Sequence, residues 1–163
     1  MHTHVTWKCA CAQVFFKRAL DVEPNDPDTL CNYALLMTNV RRDHTRAADM
    51  FQLALKGNPW HVRTLCGLGM LQQNVAHNYT AARSLYSRAL QSNANHVPSL
   101  INLAVLYRDK LNEARAAESL VQHALSLEPD NPWLKANAES FNVGEGGAAS
   151  RLAPSPHAST ASV

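Results

Sequence analysis

Ala47-Ala48-Asp49-Met50-Phe51-Gln52-Leu53-Ala54-Leu55 recurs along the chain at a fixed spacing. Ala-Arg-Ser-Leu-Tyr-Ser-Arg-Ala-Leu runs from Ala82 to Leu90, and Ala-Glu-Ser-Leu-Val-Gln-His-Ala-Leu from Ala117 to Leu125. Ala-Gln-Val-Phe-Phe-Lys-Arg-Ala-Leu, from Ala12 to Leu20, is the first copy, and successive copies stand 35 residues apart. The constant positions are Ala12, Ala47, Ala82 and Ala117, the large residues Phe16, Phe51, Tyr86 and Val121, and the Ala-Leu pairs from Ala19-Leu20 to Ala124-Leu125. Positions i, i+4, i+7 and i+8 share one face of an α-helix, so each copy reads as an amphipathic helix. Self-similarity at such a period signals stacked supersecondary units, each too small to bury its apolar face alone.

A second helical pattern precedes each copy. From Pro27, the positions Leu30, Tyr33, Ala34 and Met37 keep helical spacing, as do Leu65, Leu68 and Gly69, then Leu100, Leu103, Ala104 and Tyr107. These stretches meet Asn39, Asn74 and Asp109, residue types that tolerate left-handed backbone and are expected to close the helix. Ala34, Gly69 and Ala104 let paired helices approach, while Phe51 and Tyr86 fill the space between them. Pro24, Pro59 and Pro129 end the second helix of their repeats because proline cannot continue the ladder. At Ala94 the proline is missing, and Asn93 and Asn95 are expected to make the turn.

These residues resemble the tetratricopeptide repeat family, whose pattern pairs large-x2-Leu-small-x2-large in a first helix with Ala-x3-aromatic in a second and a closing proline. Leu30-x2-Tyr33-Ala34-x2-Met37, Ala47-x3-Phe51 and Pro59 carry the resemblance. So do Leu65-x2-Leu68-Gly69 with Ala82-x3-Tyr86, and Leu100-x2-Leu103-Ala104-x2-Tyr107. The resemblance implies an all-α fold, a right-handed α-solenoid of antiparallel helix pairs. Each repeat is one residue longer than the family's usual ~34, and the anchors place the extra residue between the two helices.

The organisation read from this register is a truncated-repeat segment over residues 1–9, an array over residues 10–142 and a tail over residues 143–163. The array comprises a half repeat, three full repeats and a capping helix from Pro132 to about Asn142, polar at Lys135, Asn137, Glu139 and Asn142. The first copy keeps only its second helix, expected from about Trp7 to Leu20, since His4-Val5 aligns with Asn39-Val40. Val5, Trp7, Phe15 and Phe16 then lack a covering helix, as in a shortened fragment or in a homodimer joined through the incomplete repeat. Gly144, Gly146, Gly147, Pro154 and Pro156 make the tail a low-complexity segment expected to be disordered.

Asn32 lies two residues from both Leu30 and Ala34, roughly 160–200° around the helix, and so is expected to point away from the core. Asn102 and Asn137 occupy the same phase, and Gly67 takes the intervening copy. The resemblance implies that first helices line a concave groove, and the row resembles the asparagine ladders of O-linked N-acetylglucosamine transferase and kinesin light chain. There the carboxamides hold the main chain of an extended peptide, using both a donor and an acceptor. Asp28, Arg63, Pro98 and Trp133, with Leu35, Met70 and Val105, are the neighbours expected to give selectivity. The carboxylate clamp for chaperone tails is absent, because its positions hold Cys31, Leu35, Gly67, Pro98 and Asn102.

Composition narrows the function further. Charged residues make up 17% of the chain and the net charge is +2, so no strong electrostatic footprint for nucleic acid is present. No run approaches the ~20 apolar residues of a membrane span. Four cysteines in 163 residues are no disulfide framework, which suits a reducing, cytoplasmic setting. Cys9-x-Cys11 with His2 and His4 is not a metal site, since sulfurs two positions apart on a helix diverge by about 200°. Cys31 and Cys66 share a phase without being bridged, His61 and His96 read as helix-start residues, and Asn78-Tyr79-Thr80 is a chance sequon. No catalytic constellation or cofactor motif appears. The reading is a non-enzymatic scaffold that binds a protein or extended peptide. RNA-binding helical repeats and a substrate-selecting fragment of a larger enzyme are the alternatives.

Overall fold

A computed structural model describes the backbone of residues 3–141 and the side chains of residues 11–138 and 140–141. Among the described residues eight α-helices follow one another: α1 Thr3–Val22, α2 Pro27–Leu36, α3 His44–Gly57, α4 Val62–Asn74, α5 Tyr79–Ser92, α6 Val97–Asp109, α7 Ala114–Leu127 and α8 Pro132–Phe141. Among the described residues there is no strand. The boundaries keep the sequence register: first helices start at Pro27, Val62, Val97 and Pro132, and second helices end at Val22, Gly57, Ser92 and Leu127. α2 packs on α3, α4 on α5 and α6 on α7, while α2–α4 and α4–α6 join neighbouring repeats. Met1, His2 and the tail lie outside the described residues, as do the side chains of Val5 and Trp7.

The turns between repeats follow from side-chain chemistry. Asp26 accepts the Thr29 N–H at 2.8 Å, which caps α2, and hydrogen bonding from the Thr29 side chain and then from this N–H holds the Asp26 carboxyl below its usual range. Asn131 accepts from the N–H groups of Trp133 and Leu134 at the start of α8. Asn93 makes the expected turn, its Oδ1 accepting the Asn95 N–H at 3.0 Å, and Asn58 does the same for Trp60. Asn78, the first residue of the apparent sequon, caps α5 by accepting the Ala81 N–H.

The turn within each repeat departs from expectation. The left-handed residues are Arg42, His77 and Asn112, three positions beyond Asn39, Asn74 and Asp109. Asn74 and Asp109 do end their helices, as expected, without themselves being left-handed, and Asn39 lies in a π-helical segment, Met37–Arg41, that extends α2. In α2, α4 and α6 the first helix widens at its end: α2 runs into the π-helical turn, and Ala76 N–H bonds the Leu71 carbonyl and Leu111 N–H that of Leu106, five residues back. Asp43, Asn78 and Glu113 reach six back, to Met37, Gln72 and Tyr107. The extra residue of each repeat is therefore absorbed in a widened final turn, which keeps the freed carbonyls bonded.

α1 also begins earlier than Trp7. It runs through His4-Val5, where the other copies break, because Lys8 stands where Asp43 and Asn78 cap their helices. Phe16 is covered after all, stacked on Tyr33 of α2 with ring centroids 5.7 Å apart. Phe15 is 67% exposed, as expected.

The core runs through the array as linked clusters. Ala47, Ala54, Ala82, Ala89, Ala117 and Ala124 are fully buried around Phe51, Tyr86 and Val121. The two bulky rings take different routes. A Cβ on Gly69 would lie 2.6 Å from Tyr86 Cε1, within the same repeat, whereas one on Gly67 would lie 2.8 Å from Phe51 Cε1 and Cζ, across the repeat boundary. Burying each such ring contributes about 1.5–3 kcal/mol, so the small residues facing them are packing requirements.

Candidate functional site

First helices alone line a cleft of about 310 Å³. Leu35 and Asn39 come from α2 and its π-helical end, Arg63, Cys66, Gly67 and Met70 from α4, Pro98 from the first turn of α6 and His96 from the cap just before it. The expected groove neighbours Leu35, Arg63, Met70 and Pro98 thus converge with Gly67. Cys66 stands at the groove wall, where its repeat phase puts it, whereas Asn39 and His96 read in the sequence as a helix end and a helix start, and the π-helical turn that carries Asn39 has no signature in the sequence.

Arg63 organises the rim. Its Nη2 donates to Asn32 Oδ1 at 2.8 Å, and its Nη1 lies 3.4 Å from Asp28 Oδ1. Asp28 also faces His61 Nε2 at 3.4 Å. Asn32, Asp28 and Arg63 therefore form one partly exposed cluster on adjacent first helices.

The remaining asparagines do not point away from the core. Asn102 is 4% exposed and donates to Cys66 Sγ at 3.6 Å; Asn137 is 5% exposed and donates to the Trp133 carbonyl at 2.7 Å. A first helix in a stack has two covered faces, one against its own second helix and one against the neighbouring first helix, so turning from the first leads to the second. Trp133 is likewise not in the groove. It is 8% exposed in the core cluster, its ring tilted on Phe141 at 6.1 Å.

A polar arrangement repeats along the cleft wall and beneath it. His61 Nδ1 contacts Thr64 Oγ1 at 2.7 Å, and His96 Nδ1 contacts Ser99 Oγ at 2.8 Å. Both histidines stand immediately before their helices, as the sequence suggests. Thr64 and Ser99 are fully buried and engage the thiols of Cys31 and Cys66 in turn. Burial pushes both thiols above their usual range, against the opposing pull of these hydrogen bonds. Cys11, Cys31 and Cys66 are free, whereas the Cys9 side chain lies outside the described residues. Among the described residues, no three His, Cys, Asp or Glu side chains come together to hold a metal. No described helix is long and apolar enough to cross a membrane.

No protein-family model and no curated protein sequence matches the chain. Solved structures do. The Arabidopsis OM64 TPR domain superposes with a TM-score of 0.64 at 16% identity, over 71% of this chain and 93% of that one. The first TPR of Spaghetti (RPAP3), bound to the HSP90 peptide SRMEEVD, gives 0.64 at 13% identity, over 71% and 90%. The Yersinia enterocolitica type III secretion chaperone SycD, in complex with a peptide of the translocator YopD, gives 0.61 at 20% identity, over 70% and 90%. Helix pairing, a 35-residue register and these superpositions agree: in fold, the chain is a tetratricopeptide-repeat α-solenoid.

Proposed function

We propose that the protein is a scaffold without catalysis of its own, and that its first-helix face holds an extended segment of a partner protein. The cleft between α2, α4 and α6 carries this reading, because it opens on first helices alone. That RPAP3 and SycD hold peptides on the same fold supports it. In this reading Asn32 offers its Nδ2 to a main-chain carbonyl, its Oδ1 being taken by Arg63. Asn102 holds Cys66 at the floor, Arg63 and Met70 meet side chains while Asp28 tunes Arg63, and Asn137 and Trp133 brace α8 from inside. The cleft lining has one fixed cation, which suits a peptide better than a phosphate chain. Free thiols fit a cytoplasmic setting.

Panning a display library of unstructured dodecapeptides tests the reading. Enriched peptides are expected to compete with one another and to lose affinity at least tenfold on Met70→Arg, but not on Leu53→Arg, a partly exposed second-helix control. No enrichment, or loss only with Leu53→Arg, overturns it. A second reading rests on Phe15 and Val14, 67% and 55% exposed on α1: a second copy covers this face. Sedimentation gives a dimer lost with Phe15→Ser if so, and a strict monomer if not.

A further inference from the structure

We infer that the cleft over Gly67 is a specificity pocket for an apolar side chain with an acidic side chain beside it in an internal, extended segment. The inference rests on the groove reading above and gives it a ligand class. Leu35, Met70 and Pro98 supply apolar wall, and Cys66 and Gly67 the floor. A volume of about 310 Å³ is at the lower end for ligand sites, the right scale for a protruding side chain rather than a large cofactor. Met70 is unbranched and polarisable, so the wall adapts to Leu, Ile, Met or Phe alike.

Arg63 is the one fixed charge in the lining of this cavity, and Asp28 stands outside that lining at the rim. Its lining contains Arg63 and His96 and no carboxylate. Arg63 has five N–H groups, and its hydrogen bonds, one to Asp28 and one to Asn32, engage two. The Asp28 contact is loose, 3.4 Å between side chains that are 50% and 63% exposed, and such pairs contribute little. A carboxylate arriving next to the buried side chain displaces Asp28 cheaply and meets the guanidinium fork in the two-point geometry arginine favours. Asp28 is then an internal competitor that an incoming carboxylate can displace and a neutral side chain cannot. Asn39 offers the segment's main chain a carboxamide further along the same cleft. A free C-terminus is not required, since the clamp positions hold Cys31, Leu35, Gly67, Pro98 and Asn102.

The test uses the full chain and N-acetylated, C-amidated dodecapeptide pools with a fixed central Leu, in which each flanking position is Glu or its isostere Gln. We expect Glu to be preferred over Gln by about fivefold at one flank, the upper end for an exposed ion pair. The preference falls to parity in Arg63→Gln, rises in Asp28→Asn, and shrinks in about 0.5 M salt. Ser in place of Leu abolishes capture of both pools. Equal capture of Glu and Gln pools, a preference that survives Arg63→Gln, or indifference to Leu→Ser overturns the inference. If Arg63→Gln does not fold by circular dichroism, Asp28→Asn decides, because only this inference makes that change a gain. Peptides that bind the groove without preference sink the pocket alone, whereas no binding at all sinks the groove reading with it.

Discussion

Replacing Gly67 by alanine tests the packing that sets the cleft. In an ordinary helix interior this change stabilises by about 1 kcal/mol, because glycine loses more backbone freedom on folding. Here the new Cβ would sit 2.8 Å from both Cε1 and Cζ of Phe51, against the roughly 3.5–4.0 Å that carbon contacts prefer. Phe51 is fully buried, so its ring has no solvent side to move toward. Overpacking of this kind costs about 1–3 kcal/mol, which exceeds the propensity gain and leaves a net loss of about 1 kcal/mol. The midpoint of thermal unfolding should fall by roughly 2–4 °C. Phe51→Leu shortens the ring away from the clash, so a double-mutant cycle should return a favourable coupling of about 1 kcal/mol. Repeat arrays can unfold in parts, and amide hydrogen exchange should place the loss in α3 and α4. An alanine variant stabilised by about 1 kcal/mol, or no coupling with Phe51→Leu, refutes the argument.

Asn78→Ala should cost about 0.5–2 kcal/mol in urea unfolding by removing the α5 cap, with Asn78→Asp close to wild type. Trp133→Ala should cost about 3–5 kcal/mol, seen first as lost exchange protection in α8, because its ring fills the end of the core. Stability should decline as pH rises above about 8.5, where thiols of the unfolded chain ionise while buried Cys31 and Cys66 keep their protons. Tyr86, whose hydroxyl burial also pushes up, adds a loss of the same sign above about pH 10. A Cys31→Ala, Cys66→Ala variant should flatten the first part of that profile, and an unchanged slope would contradict it.

The repeat was legible because it is written in apolar spacing, and apolar burial is what the stack selects. Ala47, Phe51 and Ala54 are fully buried, and helix ends fall on the 35-residue register. What failed has a common origin in distance along the chain. Counting angles from Leu30 and Ala34 locates only the face toward α3. The face of α6 that buries Asn102 is created by Cys66, thirty-six residues away and on another repeat. The widened turns were equally illegible, since they are hydrogen-bond solutions at Arg42, His77 and Asn112 that residue type does not announce. Within the candidate site, Arg63 and Met70 were legible because they lie one helical turn either side of Gly67, and Cys66 because its repeat phase faces the groove wall, whereas His96 read as a turn residue.

The interrupted asparagine row and the cleft have one cause. Phe51 of α3 packs across the repeat boundary beneath α4, and only a residue without a Cβ fits above it. The row therefore loses its rung at position 67. Asn102, in the next repeat, fills the equivalent space by reaching back to Cys66. Over Gly67 no side chain does so, and the walls from Leu35, Met70 and Pro98 remain apart. Equal rungs would hold any backbone, because every peptide presents the same amides. A missing rung with Arg63 at its rim distinguishes side chains, so the break in the periodicity is where selectivity concentrates.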